Sequence, residues 1–358
     1  MARDLLDAVY GCLIGGAIGD ALGAPVENWH YTDVRRVHGH VTEFLPQPAR
    51  TRDGAPGQIT DDSTLRHYLC LAIVERGGRV SPEDYARVWL ERLEPSRLFA
   101  TERIVLEKLK LGMSPWETGR GQLLADAAIM SIAPIGLINA GDPRQAYQDG
   151  FVVAQLHQDG FERDAAATMA AGQAVAVVPG ATVDEVLVAM QEHSTFAVRR
   201  LIDAAADLAD RSCSVEDLVD RFYATMLDLS FPTPPGEPWD AQRSVAPTSR
   251  EVLPIVCALL QVCGGEVNRC LAEGAGFGRD ADTIASVLGC LAGALHGAHA
   301  IRADWIEVCE QANRDFFTEL EGNPQANFRS MAERLVAAIA SERDHARQRL
   351  ETLAAILN

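Results

Sequence analysis

Two short stretches of this chain set hydroxyl and carboxylate side chains where helices should begin. The first is Gly57-Gln58-Ile59-Thr60-Asp61-Asp62-Ser63-Thr64, and the second is Gly278-Arg279-Asp280-Ala281-Asp282-Thr283. Each sets two carboxylates beside a threonine, Thr60 in the first and Thr283 in the second. Neighbouring carboxylates repel, and a divalent cation is the simplest means of holding both ionised. Hard oxygen donors suit Mg²⁺, Mn²⁺ or Ca²⁺ and not zinc. The sequence contains no C-x-x-C or H-E-x-x-H motif to compete for that role. Brought together, the two triads would form a binuclear site. The competing reading is helix capping, since Asp and Thr are favoured at N-caps and in first turns. Capping is the more economical account of the first stretch alone. In the second it explains either Asp280 or Asp282, but not easily both.

A third cluster, Gly15-Gly16-Ala17-Ile18-Gly19-Asp20 through Ala24-Pro25-Val26-Glu27, places one carboxylate inside an apolar helix and another just past the proline that ends it. The glycines permit close helix contact, Asp20 reads as a buried hydrogen-bonded residue, and Glu27 reads from composition as a surface acid.

The elements that must position these groups read as helix after helix. Apolar residues recur at three- and four-residue spacing, as in Leu65, Leu69, Ala72 and Ile73, in Val186, Leu187 and Met190 behind a Thr182 cap, and in Ile202, Ala205 and Leu208. Period-two segments are scarce, with Val41 to Leu45 the one weak strand candidate. The expectation is a single all-α domain over residues 1–324. Residues 325–358 form a charged amphipathic helix with Leu335, Ile339, Leu350 and Leu353 on its inner face, docking on the core or on another subunit. Residues 46–58 and the proline-rich 230–248 read as surface loops. His296 and His299 fall in an apolar stretch and read as core or interface residues.

Composition removes several function classes. The net charge is −18, which argues against nucleic acid as a partner, because phosphate binding needs basic patches. The eight cysteines lie mostly in apolar periodic stretches and form no C-x-x-C pair, as expected for a reducing cytoplasm rather than a disulfide scaffold. No basic n-region precedes an apolar run at the N-terminus. No uninterrupted apolar run reaches the roughly 18 to 20 residues of a membrane span.

The three clusters, in this order and together with the middle block Ile129-Met130-Ser131-Ile132-Ala133-Pro134, resemble the ADP-ribosylglycohydrolase family. The resemblance runs from residue 11 to about residue 300. It implies an all-α domain with two divalent cations, Mg²⁺ or Mn²⁺, at the base of a cleft. By carry-over it implies Thr60, Asp61, Asp62, Asp280, Asp282 and Thr283 as ligands. It further implies hydrolysis of an N- or O-glycosidic bond at a ribose, with Glu27, Asp62 and Asp282 at the chemistry. The implied substrate is an ADP-ribosylated protein or a small ribosyl compound. Asp126, His157, Gly278 and Trp239 are the candidate substrate contacts. One departure bears on the substrate: Asp126, Ala127 and Ser131 stand where many family members carry Asn, Gly and Arg. An acid at 126 would repel a diphosphate, and a lost glycine limits backbone approach. A ribonucleoside-type N-glycosidase is therefore the alternative, and a non-catalytic binding protein the third reading. All six ligand positions are intact, which weighs against the third.

Overall fold

A computed structural model describes residues 4–47, 54–95, 98–226 and 248–357. Helices run in the order α1 (Leu5–Gly23), α2 (Tyr31–His38), α3 (Asp61–Arg76), α4 (Pro82–Arg92), α5 (Ala100–Lys110) and α6 (Ala127–Ser131). Next come α7 (Ala133–Ile138), α8 (Pro143–Val153), α9 (Gly160–Ala176), α10 (Val183–Glu192), α11 (Phe196–Asp210) and α12 (Val215–Arg221). The chain closes with α13 (Ser249–Val262), α14 (Val267–Gly276), α15 (Ala281–His296), α16 (Ala303–Ala312), α17 (Arg314–Glu321) and α18 (Phe328–Leu357). Local chemistry sets several of these starts. Ser81 with Asp84, and Thr182 with Glu185, form reciprocal capping boxes that satisfy otherwise orphaned amides. Among the described residues there are no strands, and Val41 to Leu45 is irregular; the one β-type contact is an isolated bridge between His30 and Gly278.

The centre of the molecule is the antiparallel pair α1 and α15. Four glycines of α1, at 11, 15, 19 and 23, face Gly293, Gly289, Ala285 and Ala281 of α15. A methyl group added at Gly15 would lie 2.5 Å from the Gly289 carbonyl oxygen. The four-residue spacing thus forms a backbone-on-backbone seam that no larger side chain could enter. Both helices are apolar nearly all round, and such helices are buried. Leu5–Val26 is long and apolar enough to cross a membrane, a possibility the unbroken-run criterion missed. In the fold that stretch is mostly enclosed by protein, and α14, α16 and α18 pack against α1.

The C-terminal helix departs from the expectation. Leu335 is buried and Ile339 packs on the core, but Leu350 and Leu353 are exposed. The helix has 30 residues, about 45 Å of rise, and outruns the surface it docks on. His296 and His299 are likewise exposed rather than core, because α15 ends at His296; His299 Nδ1 lies 2.5 Å from the Asp7 carboxylate.

Candidate metal centre

The α1–α15 seam brings the end of α1 beside the start of α15. Three elements then converge on one cleft: the turn after α1 with Glu27, the first turn of α3, and the first turn of α15. The cleft has a volume of about 260 Å³, and its walls include Glu27, Asp61, Asp62, Asp280, Asp282 and Thr283. One carboxylate oxygen each from Glu27, Asp280 and Asp282 lie within 4.8 Å of one another. Both acidic stretches, far apart in sequence, therefore meet at one place.

The capping alternative can now be tested on the side chains. Thr60 occupies the N-cap position of α3 yet makes no side-chain cap, because its hydroxyl donates to Asp20 Oδ1 at 2.7 Å. The amides of Thr60 and Ser63 also donate to the Asp20 carboxylate, each at 3.1 Å. The start of α3 is thus capped by a buried acid from α1, and its own Asp61 and Asp62 are released from that duty. Asp280 holds the N-cap position of α15 and likewise makes no side-chain cap. Thr60 itself is buried behind the carboxylates and does not line the cleft.

The α15 arm is held differently. Gly278 has φ +70, and an added Cβ would run into the Trp29 carbonyl oxygen, so only glycine fits. Arg279 follows with φ +59, an uncommon left-handed conformation for a residue with a side chain. Its amide donates to Trp29 O at 2.8 Å, and its carbonyl accepts from the Asn28 amide at 2.6 Å. Its guanidinium makes a two-point ion pair with Glu251 of α13, with Nη2 to Oε2 at 2.8 Å and both side chains buried. Gly278 therefore acts on the backbone of the arm and does not face the cleft.

The site is crowded with like charge. Burial first, and then the charges of Asp282, Asp20, Asp61 and Asp280, push the Asp62 carboxyl well above its usual range. Burial and the charge of Asp126 do the same to Asp280. Burial pushes Asp126 up to about 8. The Asp126 and Asp280 carboxyls lie within hydrogen-bond reach of each other, while Asp62 Oδ1, Asp126 Oδ2 and Asp280 Oδ2 are buried with no donor at good geometry among the described residues. Buried carboxylate oxygens are rarely left so, and each leaves a desolvation penalty uncompensated. A hard divalent cation would satisfy oxygens of this kind and relieve the repulsion. The donor set therefore fits a hard divalent cation such as Mg²⁺, Mn²⁺ or Ca²⁺. Arg66, one turn beyond Asp62, donates to the Met130 carbonyl at 3.0 Å and to Ser286 Oγ; it ties α3 to α6 and α15 behind the site.

The other expected contacts divide. Asp126 lines the cleft. His157 does not: its ring is buried against Trp89 and Tyr85, at centroid distances of 4.9 and 5.5 Å, and burial lowers its pKa to about 3. Trp239 lies outside the described residues. Sequence reading passed over two features. Glu102 of α5 lines the cleft and is buried, although its sequence context, a threonine and a glutamate opening a helix, is that of any N-terminal turn. The Glu251–Arg279 pair spans α13 and the α15 arm, and no spacing rule links residues so far apart.

Comparison with known proteins agrees with this architecture. A family profile described as ADP-ribosylglycohydrolase matches residues 1–345. An uncharacterised protein of Escherichia coli (strain K12), YegU, is 24% identical over 306 residues, covering 82% of this chain and 89% of its own. An uncharacterised protein of Archaeoglobus fulgidus is 27% identical over 315 residues, covering 86% and 93%. A solved structure titled as an ADP-ribosylglycohydrolase-related protein complex superposes with a TM-score of 0.67 at 19% identity, over 94% of this chain and 98% of its own. With the profile spanning nearly the whole sequence, and the fold it implies present, the chain belongs to the ADP-ribosylglycohydrolase family.

Proposed function

We propose that this protein is a divalent-metal-dependent hydrolase that cleaves a glycosidic bond at the anomeric carbon of a ribose. Membership of a glycohydrolase family supports the reaction class. The observation that carries the metal is the set of buried carboxylate oxygens, on Asp62 and Asp280, that no described residue satisfies. Asp61, Asp62, Asp280 and Asp282 would hold the cations, with the Thr283 hydroxyl in the same set and Thr60, off the cleft wall, tying the start of α3 to Asp20 behind them. Bound there, Mg²⁺ or Mn²⁺ supplies Lewis acidity for orienting vicinal hydroxyls and polarising water.

The chain's own groups do the rest. Glu27 is half-buried at the mouth, close to Asp280 and Asp282, and has the access needed to move a proton at the scissile bond. Asp62 and Asp282, set rigidly by α3 and α15, surround the position where an oxocarbenium-like ribosyl group would develop positive charge. Asp20 and the Arg279–Glu251 pair fix those two helix starts from behind.

An ADP-ribosylated protein or small molecule is the substrate class that the family suggests. A nucleoside is the second reading, and one specific observation favours it: Asp126 lines the cleft, whereas no Lys, Arg or His does so among the described residues. The test is product analysis on ADP-ribosyl and nucleoside substrates with Mn²⁺ and with EDTA. Release of free ribose or ADP-ribose that EDTA abolishes and Mn²⁺ restores is the expected result. Equal turnover in EDTA would overturn the metal assignment.

A further inference from the structure

The candidate ligands occupy one end of the cleft. The rest of the wall is built by the start of α5, the segment leading into α6 and α6 itself: Phe99, Thr101, Glu102, Ala125, Asp126, which touches Asp280, and Met130. Glu102 is 2% exposed. The Thr101 hydroxyl donates to its Oε1 at 2.6 Å and so anchors the carboxylate. Its Oε2 is buried with no partner at good hydrogen-bond geometry among the described residues, and the Phe99 and Glu102 amides at the start of α5 also lie close to the carboxylate. An orphaned buried oxygen on the wall of an open cleft is satisfied when a ligand brings a donor. The surfaces around it are apolar: Ala125 and Met130 inside, and at the rim Phe99, which is 55% exposed. Apolar surfaces around one fixed acceptor fit a planar ring that carries an N–H.

Charge excludes the obvious competitor. Seven carboxylates line the cleft. With Asp126 protonated at neutral pH, two divalent cations would neutralise four of the other six charges and still leave an excess that repels phosphate. The volume, about 260 Å³, also lies at the small end for ligand sites.

We propose that Glu102 is a specificity residue that accepts an N–H hydrogen bond from the leaving group, that this leaving group is a nucleobase-like heterocycle, and that the ribosyl part it leaves behind carries no diphosphate. The inference rests on the ribosyl-hydrolase reading and deepens it by naming the aglycone and the residue that reads it.

The test uses the full-length protein loaded with Mn²⁺ and three ligands titrated by calorimetry: ribose, ADP-ribose, and the C-nucleoside formycin A, whose base–ribose bond is carbon–carbon and resists hydrolysis. The wild type is expected to bind formycin A more tightly than ribose, and ADP-ribose no more tightly than formycin A. Glu102→Gln turns one acceptor into a donor, and should weaken formycin A about tenfold or more while leaving ribose and Mn²⁺ affinity within twofold. Thr101→Val keeps the carboxylate but frees it, and should weaken formycin A by a smaller factor. It also serves as the reporter if Glu102→Gln does not fold. A Glu102 that serves only the first turn of α5 would lower Tm in the variant and leave formycin A binding unchanged, which overturns the proposal. Tighter binding of ADP-ribose than of formycin A by the wild type overturns it too. Absence of Mn²⁺ or ribose binding by the wild type would instead remove the ribosyl-hydrolase reading on which it stands.

Discussion

The two helix starts that carry the acidic pairs have nearly the same composition and opposite supports. The start of α3 is held by Asp20, a further buried carboxylate that accepts the Thr60 and Ser63 amides and the Thr60 hydroxyl. That support adds negative charge to an already acidic site, and burial raises the Asp20 pKa against those hydrogen bonds. The start of α15 is held by backbone hydrogen bonds to Asn28 and Trp29, and by the charge-neutral Arg279–Glu251 pair. The buried Arg66 guanidinium offsets part of the charge at the first support, whereas the second is neutral within its own ion pair. Geometry and electrostatics are thus solved separately in the two halves of one site.

The largest expected effect is on the chemistry, and it should be equal in the two halves. Asp61→Asn and Asp282→Asn each remove a candidate ligand and should reduce turnover to background, measured on whichever ribosyl substrate the wild type cleaves. Each should also leave the metal-free Tm unchanged or higher, since a repelling charge is removed. Parental turnover in either variant would break the symmetry of the proposed site.

The supports themselves should differ. Glu251→Gln leaves the Arg279 guanidinium buried beside a neutral group, and breaking a buried pair costs on the order of 3–5 kcal/mol. Denaturant unfolding should show that loss, and calorimetry should show Mn²⁺ affinity lowered about 10- to 100-fold, as for groups that orient ligands from behind. Replacing both partners, Arg279→Met with Glu251→Leu, should recover much of the stability, because apolar isosteres often match a buried pair, but not the metal affinity. Asp20→Asn is milder. The amide keeps one acceptor oxygen and removes a repelling charge, so a cost of about 1–3 kcal/mol is expected. A larger loss in Asp20→Asn than in Glu251→Gln would reverse the comparison.

The particular residues explain what could be read in advance. The all-α fold was legible because period-3.6 stripes such as Leu65, Leu69, Ala72 and Ile73 are local signals, and these four are buried on α3. Carboxylate pairs also open α4, α10 and α12, so the acidic stretches were legible not from the pairs alone but from the repeated carboxylate-and-threonine composition in the order of the family's motifs, and the cleft brings both together. The role of Asp20 was half legible. Its position in an apolar helix marked it as buried and hydrogen-bonded, but its partners lie 40 residues or more along the chain. Glu102, Glu251 and Arg279 were illegible for the same reason, as their meaning comes from packing across elements. Leu350 and Leu353 misled because periodicity fixes which face of a helix is apolar and not how far the protein beneath it extends. His157 misled because a histidine in a turn carries no local sign that Trp89 and Tyr85 will bury it.

The smallest expected effect is also the one that separates the metal-sensitive part of the molecule from the rest. In the metal-free protein burial raises Asp126 to about 8 and Glu162, buried near it, to about 7. A carboxyl whose folded pKa lies above its unfolded one keeps its proton longer when folded. Its contribution to stability is therefore greatest below the unfolded value and is lost as pH rises from about 4 to about 8. His157 runs the other way. Its folded pKa of about 3 lies below its usual value, so its contribution is complete above about 6.5 and is lost as pH falls. His157 sits among aromatic rings and not on the cleft wall. Mn²⁺ binding should therefore flatten the part of the alkaline loss that arises at Asp126, and leave the part from Glu162 and the acid-side loss from His157 as they were. Melting curves from pH 5 to 9, with and without Mn²⁺, read both limbs at once. If the two series ran parallel across the alkaline limb, Asp126 would be uncoupled from the cation site, and the excess negative charge inferred for the cleft would have to be sought elsewhere.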